Sequence, residues 1–183
     1  MLTKIFLIFN KINDFSVKYP VIRGMVSYGT IWPSGCFLQQ IIAGDEEFDF
    51  RRAARFSVFG CFYVAPTINV WLRLANKLWP KNDFKSAVTK AVVEQVSYTP
   101  FAMVSFYTGM SLLEGKTLEG AKEEVQAKFL PTYKVGALAW PVLQTINHMY
   151  VPERNKIPFV SVCSLMWSSF LAYMNRKEKP TIN

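Results

Sequence analysis

The chain has 183 residues, 21 Lys+Arg against 13 Asp+Glu for a formal charge of +8, and is 51% hydrophobic and 15% aromatic. These figures exclude a disordered, collagen-like or disulfide-stapled chain. The mean hydropathy of +0.14 does not separate a soluble protein from a membrane protein, so the positions of the charges have to.

Those charges are clustered. Runs of 21, 17, 19, 18 and 19 uncharged residues lie between Arg23 and Asp45, Arg55 and Arg73, Glu94 and Glu114, Lys134 and Glu153, and Lys156 and Arg176. A helix rises ~1.5 Å per residue, so each run is roughly 26 to 32 Å long, close to the ~30 Å hydrocarbon layer. One such run could be the core of a soluble all-α domain, but five cannot all bury one another in water. The predicted fold is therefore all-α: a polytopic transmembrane helical bundle of four to five proline-kinked spans with short interfacial amphipathic helices.

In chain order, residues 1–18 form the first element. Leu2, Ile5, Phe6, Phe9 and Ile12 share one helical face, as in a helix lying in the membrane interface. Asn10, Lys11 and Asn13 break the apolar stretch, which makes it a poor secretory signal. Spans are expected at about 21–43, 53–74, 86–113, 132–151 and 157–175. An acidic turn, Gly44 to Asp49, separates the first two, and Trp79-Pro80-Lys81-Asn82-Asp83 the next pair. Between the third and fourth, 117–130 reads as a surface amphipathic helix that Pro131 stops, with Glu124 and Lys128 as an i,i+4 pair. The segment through Arg23 holds four Lys/Arg and the 73–90 connection five, which assigns them to the same side. With four spans the basic tail Arg176 to Lys179 joins that side; with five it lies opposite.

Interior prolines Pro33, Pro66, Pro100 and Pro141 each remove an i→i−4 hydrogen bond and are expected to kink their helices. Gln39, Gln40, Asn69, Glu94, Gln95, Gln144, Asn147 and His148 are costly against lipid and should turn inward, as interhelical glue or as the lining of a hydrated path. Lys90 stands one turn before Glu94, placed to offset its charge, and His148 is expected to donate within the bundle. Ser164, Ser168 and Ala172 form a small-residue stripe for close helix packing, within the bundle or between copies. Cys36, Cys61 and Cys163 lie in charge-free runs with no metal or redox spacing and read as buried small hydrophobes.

No GxGxxG, P-loop, HExxH or GxSxG motif occurs, and Glu94 is the lone carboxylate at membrane depth, so no enzyme activity, cofactor or metal is expected. The Lys and Arg residues sit at span ends, which suits anionic lipid headgroups and not nucleic acid.

The stretch Trp140-Pro-Val-Leu-Gln144-Thr-Ile-Asn147-His-Met-Tyr-Val151-Pro152, with Arg154 and Trp167, resembles the C-terminal signature of the Mpv-seventeen and 22-kDa peroxisomal membrane protein family. Tyr19-Pro20, Gln39, Asp49, Arg52, Arg55, Gly60, Pro66, Trp71, Lys90, Gln95 and Pro100 extend the resemblance over nearly the whole chain. It departs from the family at Ser34-Gly35, where a Gly-Asp pair is usual, at Asn69 for His, at Glu94 for Asp, and at His148 for Phe.

The resemblance implies a small integral protein of the mitochondrial inner membrane or the peroxisomal membrane. It implies a non-selective or weakly selective channel, or support of mitochondrial DNA maintenance and metabolite homeostasis. In that light Gln39, Asn69, Glu94, Gln95, Gln144 and Asn147 are expected to line or brace a passage for small solutes, and Arg154 to anchor a headgroup or carboxylate near its mouth. Membrane lipids and a homo-oligomer are the expected partners. A non-conducting scaffold is the alternative.

Overall fold

The computed structural model describes residues 19–44 and 47–178, with side chains through residue 170. The expected interfacial helix over 1–18, part of the acidic turn at 45–46, Lys179 of the basic tail and the side chain of Ala172 lie outside the described residues. Within them the chain is all-helical. Helix α1 spans Pro20–Ala43, α2 Phe50–Phe59, a π-helical turn Gly60–Val64, α3 Ala65–Leu78, α4 Phe84–Val96, α5 Tyr98–Leu113 and α6 Leu118–Tyr150. A 3-10 turn, Glu153–Asn155, leads into α7, Lys156–Glu178.

Local chemistry sets these boundaries. Asp49, Asp83 and Thr117 cap α2, α4 and α6, each accepting a backbone N–H three residues on, from Arg52 at 2.8 Å, Ser86 at 2.7 Å and Gly120 at 3.2 Å. Gly44 closes α1 with φ 78°, a left-handed conformation that suits glycine. Buried Gln40 then clamps the turn, its Oε1 accepting from Asp49 N at 2.6 Å.

The prolines act differently from rod to rod. Pro100 can neither donate to the Val96 carbonyl nor tolerate it nearby, so the expected 86–113 span divides at Ser97 into α4 and α5. Pro66 is preceded by the π-helical turn, whose wider bore leaves room for its ring, and Phe50–Leu78 continues as one rod. Pro33 and Pro141 sit inside α1 and α6, which run past them.

Pro131 does not stop a helix. The amphipathic segment expected at 117–130 and the span expected at 132–151 are one 33-residue helix, α6. The carbonyl that Pro131 leaves unbonded belongs to exposed Ala127, where solvent or headgroups can satisfy it, so breaking the helix gains nothing.

The helices form two groups. In one, α1 packs most extensively on α7 and also on α2, the π turn and α3. In the other, α6 packs on α4 and α5. The first has an apolar centre of Tyr28, Ala65, Ile68, Leu72, Ile157 and Val160. Gly24 and Gly35 let α1 approach Ile157 and Leu165 of α7, so the α7 stripe of Ser164 and Ser168 belongs to a helix packed within the bundle. Cys36 and Cys163 are buried and Cys61 is half-buried.

Among the described residues, one helix, Phe50–Leu78, is long and apolar enough by length and composition to cross a membrane. The break at Ser97 leaves α4 with 13 residues and α5 with 16, each short of the ~20 a single crossing requires. Burial runs opposite to that of a water-soluble domain. Gln40, Lys90, Glu94, Gln95, Gln144 and Asn147 are buried, while Leu138 is 80% exposed, Phe62 68% and Met166 66%.

Two outcomes follow from this packing. A Cβ on Gly109 would lie 2.3 Å from Cε2 of the Phe59 ring. Gly109→Ala is therefore expected to lower stability by about 1–3 kcal/mol, read as a drop in Tm in detergent. On the amphipathic part of α6, Lys116 first, then Lys128, and more weakly Ser111, hold the Glu124 carboxyl down to about 2. A carboxyl depressed on folding stabilises above its ordinary value of 4.5 and loses that contribution as pH falls through about 2. The Tm gap between wild type and Glu124→Gln is thus expected at neutral pH and should close across that acid window.

Candidate functional site

The two helix groups meet at a buried carboxylate. Glu94 on α4 is 4% exposed. Its Oε2 accepts from Trp71 Nε1 on α3 at 2.7 Å, and its Oε1 accepts from Gln144 Nε2 on α6. Gln144 Oε1 in turn accepts from Asn147 Nδ2 at 3.0 Å. Trp71 is held for this by stacking on Tyr98, ring centroids 5.8 Å apart, and Tyr98 OH lies 3.1 Å from Thr67 Oγ1. A charge-assisted bond is about twice as strong as a neutral one, so this carboxylate fixes the register of three helices at once.

Beside it opens a cavity of about 270 Å³. Glu94, Gln95 and Gln144 line it, as do Gln39 of α1 and Phe56 of α2. The wall also carries many aromatic rings, with Trp32 and Phe106 edge-to-face at 5.8 Å and Trp140 against Trp167 at 6.4 Å. Gln95 Nε2, Asn147 Oδ1 and both ring nitrogens of His148 are buried without a protein partner. Gln95 carries its free donor into the cavity wall, where a polar solute group could accept it.

Of the expected lining residues, the cavity brings together Gln39, Glu94, Gln95 and Gln144. Gln39 also reaches α2, accepting from Arg52 Nη2 at 3.5 Å. Asn147 braces Gln144 from behind. Asn69 is buried on α3 and is not part of the wall. Arg154 is exposed in the 3-10 turn.

Two expected pairings are replaced. Lys90 does not offset Glu94: its Nζ donates to Asn76 Oδ1 at 2.8 Å, because the two side chains leave α4 toward different neighbours. His148 donates no hydrogen bond; its Nε2 is 3.8 Å from Glu94 Oε2, outside bonding range. Charge runs and polar spacing do not mark Trp71 as a donor, nor Tyr133 and Asn76 as polar partners. For Trp71 a signal existed: a carboxylate at membrane depth needs donors, and an indole N–H in an adjacent apolar run can supply one. Among the described residues no three His, Cys, Asp or Glu groups converge to hold a metal.

Removing the indole donor isolates half of this carboxylate. Trp71→Phe is expected to cost about 1–3 kcal/mol, measured by thermal unfolding in detergent, with Glu94→Gln in the Trp71→Phe background recovering part of the loss.

A sequence model of the Mpv17 / PMP22 family matches residues 111–172. The chain is 32% identical over 162 residues to PXMP2/4 family protein 4 of Dictyostelium discoideum, covering 86% of this chain and 88% of that protein. It is 29% identical over 167 residues to the Mpv17-like protein of Xenopus laevis, covering 90% and 81%. It is 24% identical over 173 residues to the mitochondrial inner membrane protein Mpv17 of Caenorhabditis briggsae, covering 93% and 96%. No solved structure matches the chain.

Proposed function

The chain belongs to the Mpv17 / PMP22 family of organellar membrane proteins, and on that premise we propose that it provides a weakly selective passage for small solutes. Its place is the mitochondrial inner membrane, in line with the name of its relative in Caenorhabditis briggsae. In this reading the chain crosses the bilayer four or five times, along α1, the α2–α3 rod, α4 with α5, the C-terminal part of α6, and α7. The charge-free runs lie in these rods, and their outward residues, such as Leu138, Phe62 and Met166, are apolar.

The observation that carries the reading is the cavity. A scaffold gains nothing from about 270 Å³ of interhelical space with Glu94, Gln95, Gln144 and Gln39 in its wall. Tight apolar packing would hold the helices better. A passage needs such space, with polar groups turned inward and solutes too weakly held to stay. The chemistry of such a protein is non-enzymatic. Its partners in this reading are lipids, with exposed Arg154 on an anionic headgroup at the mouth, and copies of itself.

The saturated bonding of Glu94 favours a second reading, a non-conducting brace, and reconstitution separates the two. Purified protein in planar bilayers is expected to conduct small ions. Glu94→Gln is expected to reduce preference for cations over anions several-fold while conductance persists. No solute flux from wild type, with Glu94→Gln altering stability alone, would leave the brace.

A further inference from the structure

A second polar network stands apart from the cavity, where the α3–α4 turn meets the start of α7. Lys90 and Lys156 are each 2% exposed. Lys90 Nζ donates to Asn76 Oδ1 at 2.8 Å, and Asn76 Nδ2 donates to Glu153 Oε2 at 3.0 Å. Glu153 Oε1 pairs with Lys156 Nζ. One carboxylate thus answers two buried ammonium groups, and its own side chain is 65% exposed against 3% for that of Lys156.

The charge there does not balance. Two cations against one anion leave a net +1 in a poorly solvated place, where an unpaired charge is costly. The other acid that bears on Lys90, Asp83, is exposed at the start of α4 and forms no ion pair with it, so water screens it from making up the difference. The flanking sequence adds to the deficit: residues 73–90 and 153–156 hold seven Lys/Arg against Asp83 and Glu153.

We propose that this cluster is a phosphate site that Glu153 occupies as an internal competitor. A phosphate monoester is largely dianionic at neutral pH, its second pKa being ≈ 6, so it cancels both lysines where Glu153 cancels one. When the exposed Glu153 side chain swings into water, Lys90 Nζ, Lys156 Nζ and Asn76 Nδ2 become three donors around one oxyanion. The phosphate is either soluble or carried on a lipid such as phosphatidic acid. In both cases the same two buried ammonium groups recognise it, and surface lysines do not.

The test uses the full chain in neutral detergent titrated with inorganic phosphate, and the same chain in phosphatidylcholine nanodiscs with or without phosphatidic acid. Binding is followed by calorimetry and by the shift in Tm. Wild type is expected to be saturably stabilised, and Glu153→Gln to bind roughly two- to fivefold tighter, the range for a partly exposed ion pair. Lys156→Met should lose binding. A response to phosphatidic acid alone supports the site and identifies a lipid as the source.

The proposal is overturned if neither phosphate form stabilises wild type, or if Glu153→Gln binds no tighter. A purely structural ion pair predicts that variant to be less stable with no gain in affinity, so the outcome does not rest on Lys156→Met folding. Binding is read without flux, so this proposal and the passage can fail independently.

Discussion

The Glu94 carboxylate sits where the α1–α3–α7 group meets the α4–α6 group, and its two oxygens are taken by Trp71 of the first and Gln144 of the second. A carboxylate in a low-dielectric interior is costly unless its oxygens are bonded within the protein. That requirement fixes how α3, α4 and α6 sit relative to one another. The stacked pair Trp71–Tyr98, the Asn147 brace and part of the cavity wall are arranged around the same group. Such a pin contributes little net stability but penalises any register that leaves the charge unmatched.

The backbone obeys the same rule. Pro33 frees the Gly29 carbonyl inside α1, and Ser57 Oγ from the next rod donates to it at 2.7 Å. At the Ser97 break the Gln95 carbonyl accepts from Tyr133 OH of α6 at 2.9 Å. The Ser57 hydroxyl therefore replaces the bond that Pro33 removes, the Tyr133 hydroxyl bonds a carbonyl beside the break, and each also joins two helices.

Much of this is written in local sequence. Long charge-free runs mark the rods, and Gln39, Gln95 and Gln144 within those runs, with Glu94 at the edge of one, mark the wall. What local sequence does not show is which neighbour each polar group meets. Spacing places Lys90 under Glu94 on one helix, yet Asn76, 14 residues away, competes for the ammonium and wins. Pro131 looks like a helix end because the rule for prolines assumes an unsatisfied carbonyl; exposure of Ala127 removes that penalty. The division at Ser97 escapes a charge count entirely, because no charge changes there.

The central claim is that the apolar outer faces lie in lipid while the polar groups face inward. Spin labels on single cysteines test it most directly, with Cys36, Cys61 and Cys163 replaced by alanine and the protein reconstituted in bilayers. Labels at Leu138 and Val142, 80% and 60% exposed, should relax with oxygen dissolved in the hydrocarbon and ignore a water-soluble paramagnetic reagent. Labels at those two positions that relaxed with the aqueous reagent instead would contradict the account.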